Sequence, residues 1–169
     1  VRHEQAAVHA RDLLERDSGR RERRLRDQAI CLYGLATVNA EHDPAAAREN
    51  IDEAIQLAEA IVALSPDNAR RPRDLALMLV LRGRIRTDQR DEVDQGVEDF
   101  RRGLELLTIR AVESPLEPVS RSDLHDTALE CRAALGARGR SAEAEVIIAE
   151  ALSRLRCVAE AQRLAGHPE

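Results

Sequence analysis

The stretch 52–68, Asp-Glu-Ala-Ile-Gln-Leu-Ala-Glu-Ala-Ile-Val-Ala-Leu-Ser-Pro-Asp-Asn, constrains the fold more than any other part of the chain. Ala54, Ala58 and Ile61 follow a 4-then-3 spacing, so they share one face of a helix. Small side chains there let a neighbouring helix come close. Pro66 cannot continue the helix, so the chain must turn. The same spacing recurs at Ala6, Ala10 and Leu13, at Gly96, Phe100 and Gly103, and at Ala144, Ile148 and Ala151. The leading positions Ala6, Ala54, Gly96 and Ala144 lie 48, 42 and 48 residues apart. A close-packing face repeated at such an interval predicts stacked helical hairpins.

Nothing in the composition competes with helix. Ala, Leu, Arg and Glu dominate, aromatic residues are 1%, and no stretch alternates as a strand would. The pattern predicts an all-α chain of about seven helices. Residues 3–16 and 20–40 read as two of them, divided by a turn at Asp17-Ser18-Gly19. Pro44 suits the first turn of a helix through 45–64. From Leu75 to Leu81 every residue is apolar, which predicts a central helix packed on several sides. Residues 92–112 carry a clear amphipathic stripe, and breaks follow at Ser114-Pro115 and Glu117-Pro118. Ser120 or Ser122 is expected to cap the next helix, with Leu124, Ala128, Cys131 and Leu135 on its core face. A turn at Gly139-Arg140-Ser141 leads to a last helix, ended by Gly166-His167-Pro168.

These residues resemble the tetratricopeptide (TPR) repeat family. Ala54, Ala58, Ile61 and Pro66 are similar to its second helix and closing turn, and Gly139 precedes Ala144 as the family's turn glycine does. Tyr33-Gly34 resembles the Leu-Gly pair of a TPR first helix, where glycine permits close crossing, and Gly83 sits where the family often has glycine. Arg73-Asp74-Leu75-Ala76, with a weaker echo at Arg26-Asp27-Gln28-Ala29, resembles the long-hairpin variants of bacterial multidomain regulators. The hairpins are longer than the common TPR period of about 34 residues. The resemblance implies a right-handed α-solenoid of antiparallel helix pairs, a single TPR-like domain over 1–169. It implies a scaffold that holds a peptide or helix of a protein partner in a concave groove lined by first helices. Arg84, Thr87 and Asp88, and Asn39 in another repeat, are then expected to face the groove, with Leu35, Val38, Leu129 and Ala133 at other groove positions. A structural oligomerisation or spacer module is the alternative, and a small-molecule-binding helical bundle a more distant one.

Charge narrows the partner. All 26 basic residues are arginine, which a genome rich in G and C explains; selection for bidentate contacts to carboxylate or phosphate is the other reading. The net charge of −5 argues against nucleic acid. Arg20, Arg21, Arg23, Arg24 and Arg26 cluster at the expected start of the 20–40 helix. Two readings stay open there: a solvated, salt-bridged face, or a patch for an acidic peptide, with Arg20, Arg21 and Arg24 as its contacts.

No catalytic signature is present. His3, His9, His42, His125 and His167 form no ligand pair, and there is no P-loop, GxGxxG or GxSxG. Neither an enzyme, a cofactor nor a metal is expected. Cys31, Cys131 and Cys157 stand far apart in apolar patterns and are expected as buried or half-buried thiols in a reducing compartment. No run is apolar enough to span a bilayer and no signal peptide is visible, so a cytoplasmic protein without membrane contact is expected. The start at Val1 predicts a piece of a longer chain or trimmed ends.

Overall fold

The computed structural model describes residues 2–65, 68, 71–113 and 118–165, with side chains in these ranges from 19 to 161 except at 118, 120, 158 and 159. Among the described residues there are six helices and no strand. They are α1 (Arg2–Asn39), α2 (Pro44–Leu64), α3 (Arg71–Thr87), α4 (Val93–Glu113), α5 (Pro118–Gly136) and α6 (Ser141–Ala165). The count is six rather than about seven because α1 runs unbroken for 38 residues through Asp17, Ser18 and Gly19. The segment has no proline, and each weak helix former costs only about 0.5–1 kcal/mol against alanine. The arginine cluster therefore lies mid-helix, away from any macrodipole end.

Local signals explain the sharp turns. The Asn39 carbonyl accepts from the His42 and Asp43 N–H groups at 3.1 and 2.8 Å. Asp43 then caps α2, accepting from the Ala46 N–H at 3.0 Å, and Pro44 occupies the first turn as expected. Between α5 and α6, Gly139 takes φ +74°, and the Arg140 N–H closes on the Leu135 carbonyl at 2.9 Å. The expected serine caps of α5 do not form: α5 opens at Pro118, and the Ser122 hydroxyl donates to Asp126 within the helix at 3.1 Å. The breaks expected at Pro66, at 114–117 and at 166–168 lie outside the described residues.

Each helix packs on the next, with further contacts of α3 on α5 and of α4 on α6. Two apolar clusters result. One joins Ala29, Ala36, Ile51, Ala54 and Ala58 of α1 and α2 to Leu75, Leu79 and Ile85 of α3. The other joins Ala76 and Val80 of α3 to Phe100, Leu104 and Leu107 of α4 and to residues of α5 and α6. The apolar run Leu75–Leu81 is thus the central helix its composition predicts, buried on two sides. Full burial of each such Leu, Ile or Phe contributes about 1.5–3 kcal/mol.

At the α3–α4 crossing glycines bring the two backbones close together. A Cβ on Gly96 would lie 2.7 Å from Thr87 Cγ2 and 2.8 Å from the Gly83 carbonyl oxygen; one on Gly103 would lie 2.9 Å from Val80 Cγ2. Gly34 differs, since a Cβ there would meet nothing within 4 Å, so it serves no close crossing.

Beside this crossing three arginines and three carboxylates close into a neutral ring across α2, α3 and α4. Arg82 donates to both oxygens of Asp99 at 2.9 and 2.7 Å, and to Asp52 at 3.0 Å. Arg86 donates to Asp99 at 2.9 Å and its Nε faces Glu92 Oε2 at 3.9 Å, an ion pair without a hydrogen bond. Arg48 completes the circuit through Glu92 and, at 3.8 Å, Asp52. Burial alone would lower the Arg82 pKa, but the hydrogen bonds and charge of Asp99, then of Asp52, outweigh it and hold Arg82 above its ordinary value.

Candidate functional site

Side chains of α1, α3 and α5 meet around Arg84 of α3. On α3 the residues Arg73, Leu77, Arg84 and Asp88 fall along one stripe by helical spacing, and none of the four is fully buried. Tyr33 of α1 lies on one flank, and Asp123 and Glu130 of α5 on the other. Arg73 holds Asp123 through two bonds, one of 2.9 Å, and Arg84 reaches Glu130 at 3.3 Å. These pairs fix α5 against α3. Ile30 of α1, 42% exposed, and the exposed Val119 and Ala133 of α5 widen the surface with apolar area.

The electrostatics tie the three helices together. Burial raises the Tyr33 phenol pKa, the Glu130 charge raises it further, and Arg84 partly offsets both. Burial likewise raises the Glu130 carboxyl, against the pull of Arg84. Arg84 thus offsets only part of the cost of burying the Glu130 charge.

The residues expected at a binding site are distributed as follows. Arg84 and Asp88 do lie on the open α3 stripe, though Asp88 also accepts from Arg138 at 2.9 Å. Thr87 does not: it is 1% exposed, its side chain fills the α3–α4 crossing, and its hydroxyl donates to the Arg84 carbonyl at 2.8 Å. Thr87 lies only about 60° from Arg84 round the helix, on the edge of the stripe that meets α4. Asn39 is half-buried and its carbonyl holds the α1–α2 turn. Leu35, Val38 and Leu129 are exposed, but Leu35 and Val38 lie on the outer side of α1, away from Tyr33. They share that outer side with Arg20 and Arg24, while Arg21 stands at its edge, and all three arginines are exposed. Arg26 of the cluster is engaged, bonding Asp74 of α3 at 3.0 Å, and Glu22, set among the arginines, accepts from Ser65 and Arg71 at 2.7 and 2.6 Å.

Among the described residues no cluster of His, Cys, Asp and Glu could hold a metal ion. Only Cys131 is buried as expected, its thiol pushed up to about 11 by burial; Cys31 and Cys157 are exposed. Their helices leave those positions on outward faces, which spacing from an apolar neighbour alone does not reveal. No described helix is long and apolar enough to cross a membrane. The Tyr33–Arg84–Glu130 cluster was missed as a unit by sequence reading, because its members come from three helices far apart in the chain. Comparison with known proteins finds no matching family model, no matching curated protein and no matching solved structure.

Proposed function

We propose that the chain is a protein-interaction scaffold, a TPR-like α-solenoid whose hairpins α1–α2, α3–α4 and α5–α6 offer the α1, α3 and α5 surface to a peptide or helix of a partner. The observation that carries the reading is the meeting of Tyr33, Arg84 and Glu130 on three first helices, beside open apolar area at Ile30 and Ala133. Apolar burial then supplies affinity, and an acidic group of the partner takes Arg84 from Glu130. Arg20, Arg21 and Arg24 stand off this surface on the outer side of α1, so they add only long-range attraction for an acidic partner.

The test is capture of partners on the immobilised chain from its own lysate, with Arg84→Glu, Ile30→Glu and a control, Val146→Glu, on the exposed side of α6. One stoichiometric protein that survives the control change and is lost with the other two is the expected result. Equal retention by all variants removes the surface. Recovery of the bait alone, as a concentration-dependent oligomer, favours the oligomerisation module instead.

A further inference from the structure

Away from this surface, α5 and α6 meet closely near their turn, where Cys131, Leu135, Ala144 and Ile147 are fully buried. Toward the other end the two helices part, over a floor of Leu104 and Ala111 from α4. The gap is a cavity of about 500 Å³. Small-molecule sites commonly measure roughly 300–1,000 Å³. A helix about 10 Å across and three turns long displaces more than roughly 1,000 Å³, so a whole helix is too large to enter. Leu124, Ile148, Ala151 and Leu155 make the walls apolar, and Leu152 is 45% exposed although it also lines them.

The rim is polar in one sense only. Arg121, His125, Arg132 and Arg156 line it, and no acidic side chain does so among the described residues, in a chain of net charge −5. Arg132 is already neutralised by Glu145 through bonds of 2.6 and 3.0 Å. Arg156 makes only a long bond of 3.4 Å to the Leu152 carbonyl of its own helix, and no described carboxylate pairs with it. The antiparallel course of α5 and α6 brings it to the same end of the cavity as His125. An apolar cleft with the guanidinium of Arg156 at its mouth matches one chemistry, an apolar chain that ends in an anion.

We propose that this cavity binds an amphiphilic carboxylate of fatty-acid type, its alkyl chain over Leu104 and Ile148 and its carboxylate at Arg156 and His125. The site is independent of the partner surface. The experiment is calorimetric titration of the full chain with dodecanoate, and with dodecylammonium as the matched cation, both below micelle formation. Dodecanoate is expected to bind once per chain, and the cation at least about tenfold more weakly. Arg156→Glu should weaken dodecanoate by about tenfold or more, Ala128→Phe, which fills the cleft, should abolish it, and Arg84→Glu should leave it unchanged. Circular dichroism verifies folding, and Arg156→Glu, at an exposed position, keeps the test decisive if Ala128→Phe misfolds. Equal binding of the cation, several molecules bound per chain, or dodecanoate binding indifferent to Arg156→Glu would overturn the proposal.

Discussion

The α3–α4 and α5–α6 hairpins begin from the same sequence device and end in opposite packing. Gly96, Phe100 and Gly103 repeat the spacing of Ala144, Ile148 and Ala151. In the first hairpin glycines let two backbones touch, and no space remains at the crossing. In the second, alanines stand at the matching positions, and the fully buried contacts Cys131, Leu135, Ala144 and Ile147 lie toward the turn. Beyond it the apolar faces separate into a cavity of about 500 Å³. The same periodicity can therefore make a rigid joint or a cleft, and the size of the residue at the anchor positions helps to decide which.

The largest test of the rigid side is Asp99→Ala. Asp99, with a side chain 6% exposed, neutralises both Arg82 and Arg86. Removing it leaves the largely buried ring one positive charge in excess, with Arg82 held by Asp52 alone and Arg86 facing Glu92 at 3.9 Å, and an expected loss of about 3 kcal/mol in urea unfolding. A loss below 1 kcal/mol on that scale would mean that the ring adds nothing to the joint.

Gly96→Ala comes next. Alanine gains up to about 1 kcal/mol in helix propensity. Against that, its methyl must displace the Gly83 carbonyl, a backbone atom that cannot move aside cheaply. A net destabilisation of about 1–3 kcal/mol is expected, read as a lower urea midpoint at unchanged slope. Adding carbon to the cleft should do the reverse: Ala128→Leu is expected to raise stability by about 0.5–2 kcal/mol in thermal unfolding. If both substitutions destabilise equally, the two hairpins do not differ in packing.

The smallest effects come from two glutamates whose signs oppose. The Ser65 hydroxyl, and next to it Arg71, hold the Glu22 pKa below its usual value despite some burial. Its stabilisation is therefore fully present above the unfolded value of about 4.3 and is lost as pH falls through the lower folded value. Glu22→Gln should cost about 0.5–1.5 kcal/mol at pH 7 and nearly nothing near pH 3. Burial raises Glu130 instead, so its contribution is complete below the unfolded value and declines as pH rises through the folded one. Glu130→Gln should not destabilise the chain at pH 7, as paired unfolding curves at the two pH values would show.

Much of the helical framework could be read directly. The run Leu75–Leu81 announces a largely buried helix, and it occupies the centre, with only Leu77 half-buried on the open stripe. Pro44 and Gly139 mark turns because their backbone chemistry is local. The misreadings share a cause. Asp17-Ser18-Gly19 was expected as a turn from local preference, yet a few weak residues do not interrupt a helix of 38. Thr87 was placed on the open stripe, although it stands on the edge that meets α4 and is buried there. The ring through Arg48, Asp52, Arg82, Asp99, Arg86 and Glu92 and the α4–α6 cleft depend on how axes cross, which no one-dimensional spacing encodes.

Because α3 contributes to both apolar clusters, the described part of the molecule has no seam. In an idealised array each hairpin can melt by itself, and stability grows unit by unit. Here release of either flank uncovers half of the shared helix and weakens the other flank with it. The α3 amides should consequently exchange with solvent only through global opening, as the slowest set in the chain. A hairpin could not be deleted or transplanted as an interchangeable brick, since the middle one is the wall that both rooms share.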